Sequence, residues 1–276
     1  MVIKQIAVLL TCYNRKAKTL QCLQSFYKTL KDEEALFDIY LVDDGSTDGT
    51  SEEITKKFPN VNIIKGNGEL YWNRGMLLAW ETAKKTKDYD FYLWLNDDVI
   101  IKKQGLNTLI KDYATTPNSI ICGAMQSQKS QQISYGGKDK NGNLIIPKSP
   151  NRTCTFINGN MVLVPKSIFD AVGLLDPIFP HAIGDYDYGL RAIKKGFKCF
   201  ASSKYTGYCE SNPTLPKWCL PQVKLKNRIK SLYSPLGNSH PYYYFIYEHR
   251  HFGLGIALKH YITIHLRLVF PKLWKQ

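Results

Sequence analysis

The chain has 276 residues, 44% hydrophobic and 22% charged, which excludes a disordered polymer and leaves room for one large domain with a sizeable core. Thirty-seven Lys and Arg against 23 Asp and Glu give a net charge of +14. No run of about 18 apolar residues lacks charge, so no good transmembrane helix is present.

The start, MVIKQIAVLLTCYNR, has too short an apolar run for a signal peptide. Asn14 and Arg15 follow at once and no small-residue cleavage site is visible, so Ile6 to Thr11 predicts a first buried strand. Leu20, Leu23, Tyr27 and Leu30, spaced by three and four, predict a helix. Ile39 to Val42 is a second apolar run. Thr50 and Glu53 then predict a capping box that opens a short helix ending before Pro59. Val61 to Ile64 is a third run, Met76, Trp80 and Ala83 mark a helix, and Phe91 to Leu95 is a fourth run. This βαβαβαβ order predicts an α/β fold whose central sheet is mostly parallel and flanked by helices.

Beyond about residue 117 the pattern loosens. Ile120 to Ala124 and Met161 to Val164 predict further strands, and Asp187 to Lys195 has helical character. The polar stretch 126–153 carries Gly136-Gly137 and Asn141-Gly142 turn signals, which suit a hairpin or a mobile loop. Seven cysteines, odd in number and without C-x-x-C spacing, predict free thiols in a reducing cytosol.

In open parallel sheets ligands bind at the carboxyl ends of the strands. Here the first strand ends in Thr11-Cys12-Tyr13-Asn14 and the second in Asp43-Asp44-Gly45-Ser46. The third ends in Gly66-Asn67-Gly68 and the fourth in Asn96-Asp97-Asp98. Neither G-x-G-x-x-G after the first strand nor G-x-x-x-x-G-K-[ST] anywhere is present, which disfavours dehydrogenase and P-loop chemistry. Acidic pairs are instead what Mg²⁺ or Mn²⁺ needs, since these ions take carboxylate oxygens and keep positions open for phosphate.

The pieces LLTCYNR (9–15), VDDGSTDGT (42–50), LNDDV (95–99) and GDYDYGLRAIKKG (184–196) occur in the order of glycosyltransferase family two, which the chain resembles over roughly residues 5–200. GNGELYWNRGM (66–76) and FINGNMVLVP (156–165) resemble a bacterial surface-polysaccharide branch. The resemblance implies a GT-A-like fold and inverting transfer of a hexosyl or deoxyhexosyl group from a nucleotide diphosphate sugar to a glycan or lipid-linked glycan. By position, Thr11, Tyr13 and Asp44 would hold the donor nucleoside, with Asp43 supporting their loop. Asp97 would face the donor sugar or ribose, Asp98 would bind the divalent metal, and Asp185 would be the catalytic base. Asn96 stands at the first D-x-D position and Gly184 where the family has Glu. The implied domains are a catalytic unit over 1–210, with a nucleotide half to about 117 and an acceptor half from about 118, followed by an extension over 211–276.

Each residue also has a plainer reading. Asp43 and Asp44 suit a turn, and Asp97 and Asp98 suit a cap. Arg74, opening the third helix, is placed to reach the donor diphosphate or to be a solvated surface arginine. His181 suits either the acceptor or a hydrogen-bonded loop. Asp187 and Arg191, four apart, predict a structural pair on one helix face, leaving Asp185 free to meet an acceptor hydroxyl. Glu248-His249-Arg250-His251 lacks the spacing of a zinc site.

Residues 217–276 hold ten Lys or Arg, one acid and eleven aromatics. Tyr242-Tyr243-Tyr244-Phe245 and Trp274 suit a membrane–water interface, and the basic amphipathic pattern predicts a segment lying on anionic lipid at the cytoplasmic face. The alternative is that these aromatics cover the catalytic domain. Two rival functions are a non-catalytic nucleotide-sugar-binding protein and a nucleic-acid-binding protein. Asp98 and Asp185 weigh against the first and the acid-rich strand ends against the second, so no nucleic-acid partner is expected.

Overall fold

The computed structural model describes residues 4–30, 35–211 and 214–274. Strands β1 (Lys4–Cys12), β2 (Ala35–Asp43), β3 (Val61–Lys65) and β4 (Phe91–Leu95) lie side by side in the order β3-β2-β1-β4, all parallel. Helices α1 (Lys16–Thr29), α2 (Thr50–Lys57) and α3 (Tyr71–Thr86) make the crossovers. Alternate β1 residues enter opposite cores: Ala7 and Leu9 join Trp80 and Trp94, while Ile6, Val8 and Leu10 join Leu23 and Phe26. Burial on both faces is why this strand reads as one continuous apolar run.

The capping box does not form. Thr50 is the first helical residue, and left-handed Gly49 (φ 78°) precedes it as the cap. Asp48 accepts the Thr50 amide at 3.1 Å and its hydroxyl, while Glu53 pairs with Lys57 at 2.9 Å. The Asp-Gly turn thus delivers its own side-chain oxygen to the helix start and leaves Thr50 nothing to cap.

The second half comprises β5 (Ile100–Ile101), α4 (Gly105–Thr115), β6 (Ser119–Gln126), β7 (Ile133–Tyr135), β8 (Arg152–Cys154), β9 (Met161–Pro165), α5 (Lys166–Val172), α6 (Gly184–Lys194) and β10 (Lys198–Tyr208). The sheet continues β4-β9-β6-β10-β5. Here directions mix. β9 is antiparallel to β4 and β6, whereas β10 is parallel to β6. Within the polar stretch 126–153, β7 folds back on β6. Helix α6 begins three residues before Asp187, so Asp185 sits in its first turn.

Helices α7 (Leu225–Leu232), α8 (Pro241–Phe252) and α9 (Leu254–Val269) follow. Tyr247 of α8 joins Phe179, Ile183 and Leu190 in a core beside α6. Ile264 and Leu268 of α9 pack with Trp218 and Leu232 in a separate cluster. One stripe of α9 is open: Leu254, Leu258, Ile262 and Leu266 are exposed. Among the described residues no helix is long and apolar enough to cross a membrane.

Candidate active site

The ends of β1, β2 and β4, the start of α6 and the approach to α8 surround one cavity of about 740 Å³. Thr11, Tyr13, Asp44, Asp97, Asp98 and Asp185 all line it. Asp43 and Arg74 do not.

Asp43 is buried under its loop, accepting the Ser46 amide at 2.9 Å and the Ser51 hydroxyl. Asp44 accepts the Gly68 amide at 2.9 Å and the Leu70 and Tyr71 amides at 3.0 Å, so its charge sits at the start of α3, where backbone N–H groups are free to donate. Thr11 is buried against α3. A Cβ on Gly75 would lie 2.3 Å from its hydroxyl oxygen, so only glycine lets the helix come this close. Tyr13 is 53% exposed, a ring standing free at the rim. The Arg74 guanidinium turns away from the cavity and donates to the Pro177 carbonyl at 2.8 Å. It braces the 176–180 turn, because the third helix opens toward that turn rather than toward the strand ends.

The three residues after β4 have different tasks. Asn96 accepts the Trp72 indole N–H at 2.6 Å and donates to Asn160 at 2.7 Å, so it is fully engaged in the wall. Asp97 is buried, with Thr19 on one oxygen at 3.2 Å and Arg15 on the other at 3.0 Å. Burial lifts its pKa to about 6, the nearby guanidinium opposing. Asp98 is more open. One oxygen holds Arg15 at 2.5 Å and, among the described residues, the other meets only the Cys209 thiol, at 3.8 Å. Burial and Asp98 push that thiol up to about 12, so it is neutral.

Asp185 is partly buried. It accepts the Gly159 amide on one oxygen and its neighbour's amide, Tyr186, on the other, both at 2.9 Å. Desolvation raises its pKa to about 6 against these two hydrogen bonds. A carboxylate with that pKa is ionised at neutral pH yet basic enough to take a proton. Gly184 beside it has a steric cause. A Cβ there would fall 1.8 Å from Asn73 Oδ1, and Asn73 is held by the Asp176 and Phe179 carbonyls at 2.8 and 2.7 Å. Glutamate has no room at this position.

Asp187 is fully buried and out of the cavity. Arg191 at 2.7 Å, Arg250 at 2.8 Å and His251 at 2.8 Å all bind it. Burial pushes its pKa up, but these three donors outweigh burial and hold it below the usual value. Glu248 pairs with His260 at 2.5 Å and His249 stacks on Phe245, so the Glu-His-Arg-His stretch serves to fasten α8.

Sequence reasoning passed over Arg15, although it closes the LLTCYNR motif, and over Cys209, Asn158 and Asn160. His181 lines the cavity too, accepting the Trp72 amide on Nδ1 at 3.3 Å, and burial followed by the Arg15 charge lowers its pKa. Leu236, Asn238, Ser239, Tyr244 and Tyr247, from what reads as an appended tail, form part of the wall.

A divalent ion can be tested against this donor set. Among the described residues no three His, Cys, Asp or Glu side chains converge on one point. Of the two aspartates after β4, Asp98 is the more exposed and lines the cavity. That fits an ion held jointly by one or two carboxylates and substrate phosphates rather than by a closed protein cage.

Comparison with known proteins gives the family and the fold. The family description "Glycosyl transferase family 2" matches residues 7–173. Poly-beta-1,6-N-acetyl-D-glucosamine synthase of Staphylococcus aureus (strain COL) is 31% identical over 112 residues, 41% of this chain and 26% of the synthase, so the match spans about a quarter of that protein. A mannosyltransferase from Pyrobaculum calidifontis, solved with GDP-Man and Mn²⁺, superposes with a TM-score of 0.58 at 12% identity over 96% of this chain and 74% of its own. S. aureus TarS 1–349, solved with UDP, gives 0.55 at 15% identity over 90% and 72%. These two likenesses establish the fold as GT-A.

Proposed function

The chain belongs to glycosyl transferase family 2, and we propose that it is an inverting glycosyltransferase moving a hexosyl or deoxyhexosyl group from a nucleotide diphosphate sugar to an acceptor hydroxyl. The observation that carries this is the meeting of Asp98 and Asp185 in one cavity with Thr11, Tyr13 and Asp44. Thr11, Tyr13 and Asp44 hold the nucleoside, with Asp43 bracing their loop, and Asp97 faces the sugar or ribose. Residues to about 117 form the nucleotide half and 118–210 the acceptor half. Asp98 would hold a divalent ion, Mn²⁺ or Mg²⁺, which when bound supplies Lewis-acid charge to the diphosphate leaving group. Asp185 takes the proton of the acceptor hydroxyl as that oxygen attacks the anomeric carbon, and no covalent intermediate is needed. Fixing the nucleoside holds the reacting atoms in line.

The synthase likeness supports a place in bacterial polysaccharide assembly, such as capsule or O-antigen, with a glycan or lipid-linked glycan as acceptor. The exposed apolar stripe of α9, together with exposed Lys259 and Lys272, supports peripheral attachment to anionic lipid at the cytoplasmic face of the cell membrane. Screening nucleotide sugars for hydrolysis, with and without Mn²⁺, tests the central claim. If no nucleotide sugar is bound or turned over in either condition, the enzyme assignment is wrong.

A further inference from the structure

We propose that Arg15 is the resident cation of this site. It bridges Asp97 and Asp98 while the donor is away, and it passes to the diphosphate when nucleotide and metal arrive together, releasing Asp98. The inference rests on the glycosyltransferase reading above and adds a residue and an order of events to it.

The two ends of the bridge are unequal. Arg15 Nη1 lies 3.0 Å from Asp97 and Nη2 lies 2.5 Å from Asp98. Asp97 is buried: its side chain is 4% exposed and Thr19 donates to its second oxygen at 3.2 Å. Asp98 is 24% exposed, and among the described residues its second oxygen has only the weakly donating Cys209 thiol. Arg15 itself is 37% exposed and lines the cavity. Its guanidinium can therefore swing on the Asp97 contact while letting go of Asp98. With Asn96 neutral and consumed by Trp72 and Asn160, the two aspartates are the only acids of this motif. Arg15 already neutralises one of them.

A metal ion and Arg15 compete for Asp98 Oδ2. Metal arriving alone must displace a guanidinium that has nowhere better to go. Metal arriving with a diphosphate brings phosphate oxygens that a guanidinium binds well, in the planar two-pronged geometry it also uses for carboxylates. Arg15 thereby makes metal binding depend on nucleotide, and by reciprocity nucleotide binding depend on metal.

The test is calorimetry on the full chain with two probes, Mn²⁺ alone and UDP or GDP with Mn²⁺. Arg15→Gln should bind Mn²⁺ alone about tenfold tighter than wild type, because Asp98 is freed, and the nucleotide with Mn²⁺ about tenfold weaker. A residue that merely supports the fold moves both in the same direction. If Mn²⁺ alone binds Arg15→Gln no tighter than wild type, or if the nucleotide binds it equally well, the proposal is overturned. Should Arg15→Gln fail to fold, Arg15→Lys decides: one ammonium cannot span both carboxylates but can meet a phosphate, so Mn²⁺ alone should tighten while nucleotide affinity stays within about threefold of wild type. If wild type binds neither UDP nor GDP, the donor assignment falls, and the Mn²⁺ comparison still tests whether Arg15 holds Asp98.

Discussion

Replacing Asp185 by Asn keeps the shape of the side chain and removes its ability to accept a proton. Transfer should fall by about 10²-fold or more while donor affinity stays near wild type, since a positioned general base contributes roughly 10²–10⁴-fold. The same substitution has a signature in stability. The folded pKa of Asp185, about 6, lies above the ordinary 3.8, so ionisation costs folding energy. The protonated form's contribution is complete below pH 3.8 and is lost as pH rises through about 6. A shift of this size is worth about 3 kcal/mol at most. In the variant, one carbonyl oxygen replaces two acceptors, so either the Gly159 or the Tyr186 amide faces an NH₂ group, at a cost of about 1–3 kcal/mol. Arg15 and Asp98 are untouched. Denaturant unfolding should therefore find Asp185→Asn less stable than wild type at pH 4.5, with the gap closing or inverting by pH 7.5. In wild type, transfer at low substrate should rise with pH up to about 6 and then level off. Parallel pH dependence of the two stabilities would mean that Asp185 is not held at a raised pKa, and unchanged turnover would mean that the base is elsewhere. Asp187 is a poor substitute, being buried among Arg191, Arg250 and His251.

Two other substitutions separate site from scaffold. Asp98→Ala should fold and melt like wild type but lose the gain in nucleotide affinity that Mn²⁺ confers; calorimetry showing that gain intact removes Asp98 from the metal site. Gly184→Glu should not improve acceptor use but should lower stability by about 1–3 kcal/mol, as crowding does in a packed interior, because its Cβ meets Asn73 Oδ1 at 1.8 Å; a thermal melt unchanged from wild type shows that the 176–180 turn yields.

The first four strands and the helices between them are legible because each strand is a short apolar run bounded by turn residues. The polar groups at their ends are legible because nothing in a buried strand explains an Asp-Asp pair. β10 escapes for the opposite reason. Its sequence KCFASSKYTGY breaks the apolar pattern with Ser202 and Thr206, which are buried but satisfied: Ser202 accepts the Ala124 amide at 2.9 Å, and the register shifts twice along β6. α4 carries a helical spacing in Leu106, Leu109 and Ile110 but is only 11 residues long, between strands. Arg15 and Arg74 show the limit for side chains. Both lie within quoted motifs, LLTCYNR and GNGELYWNRGM, and which one faces the cavity is decided by contacts some 80 to 100 residues away, with Asp97 and Asp98 for one and Pro177 for the other.

The C-terminal helices pose the same problem at larger scale, and it governs how their role is tested. Cutting the chain near Ser211 to ask whether the tail binds lipid would also remove Arg250 and His251. Asp187, buried on α6 two residues from Asp185, would keep only Arg191. Stripping partners from a buried charge costs about 3–5 kcal/mol, a large part of the roughly 5–15 kcal/mol that holds a domain together. A truncated protein that fails to bind vesicles would then show damage rather than function. Leu258, Ile262 and Leu266 offer a cleaner perturbation, because they recur every four residues on an exposed stripe of α9. Changing all three to Ser should leave the melting temperature and donor hydrolysis near wild type. Wild type should float with anionic liposomes at low salt and less at high salt, while the triple variant stays in the soluble fraction. If the variant floats like wild type, this stripe does not face lipid. If wild type itself stays soluble at low salt, the membrane role is wrong.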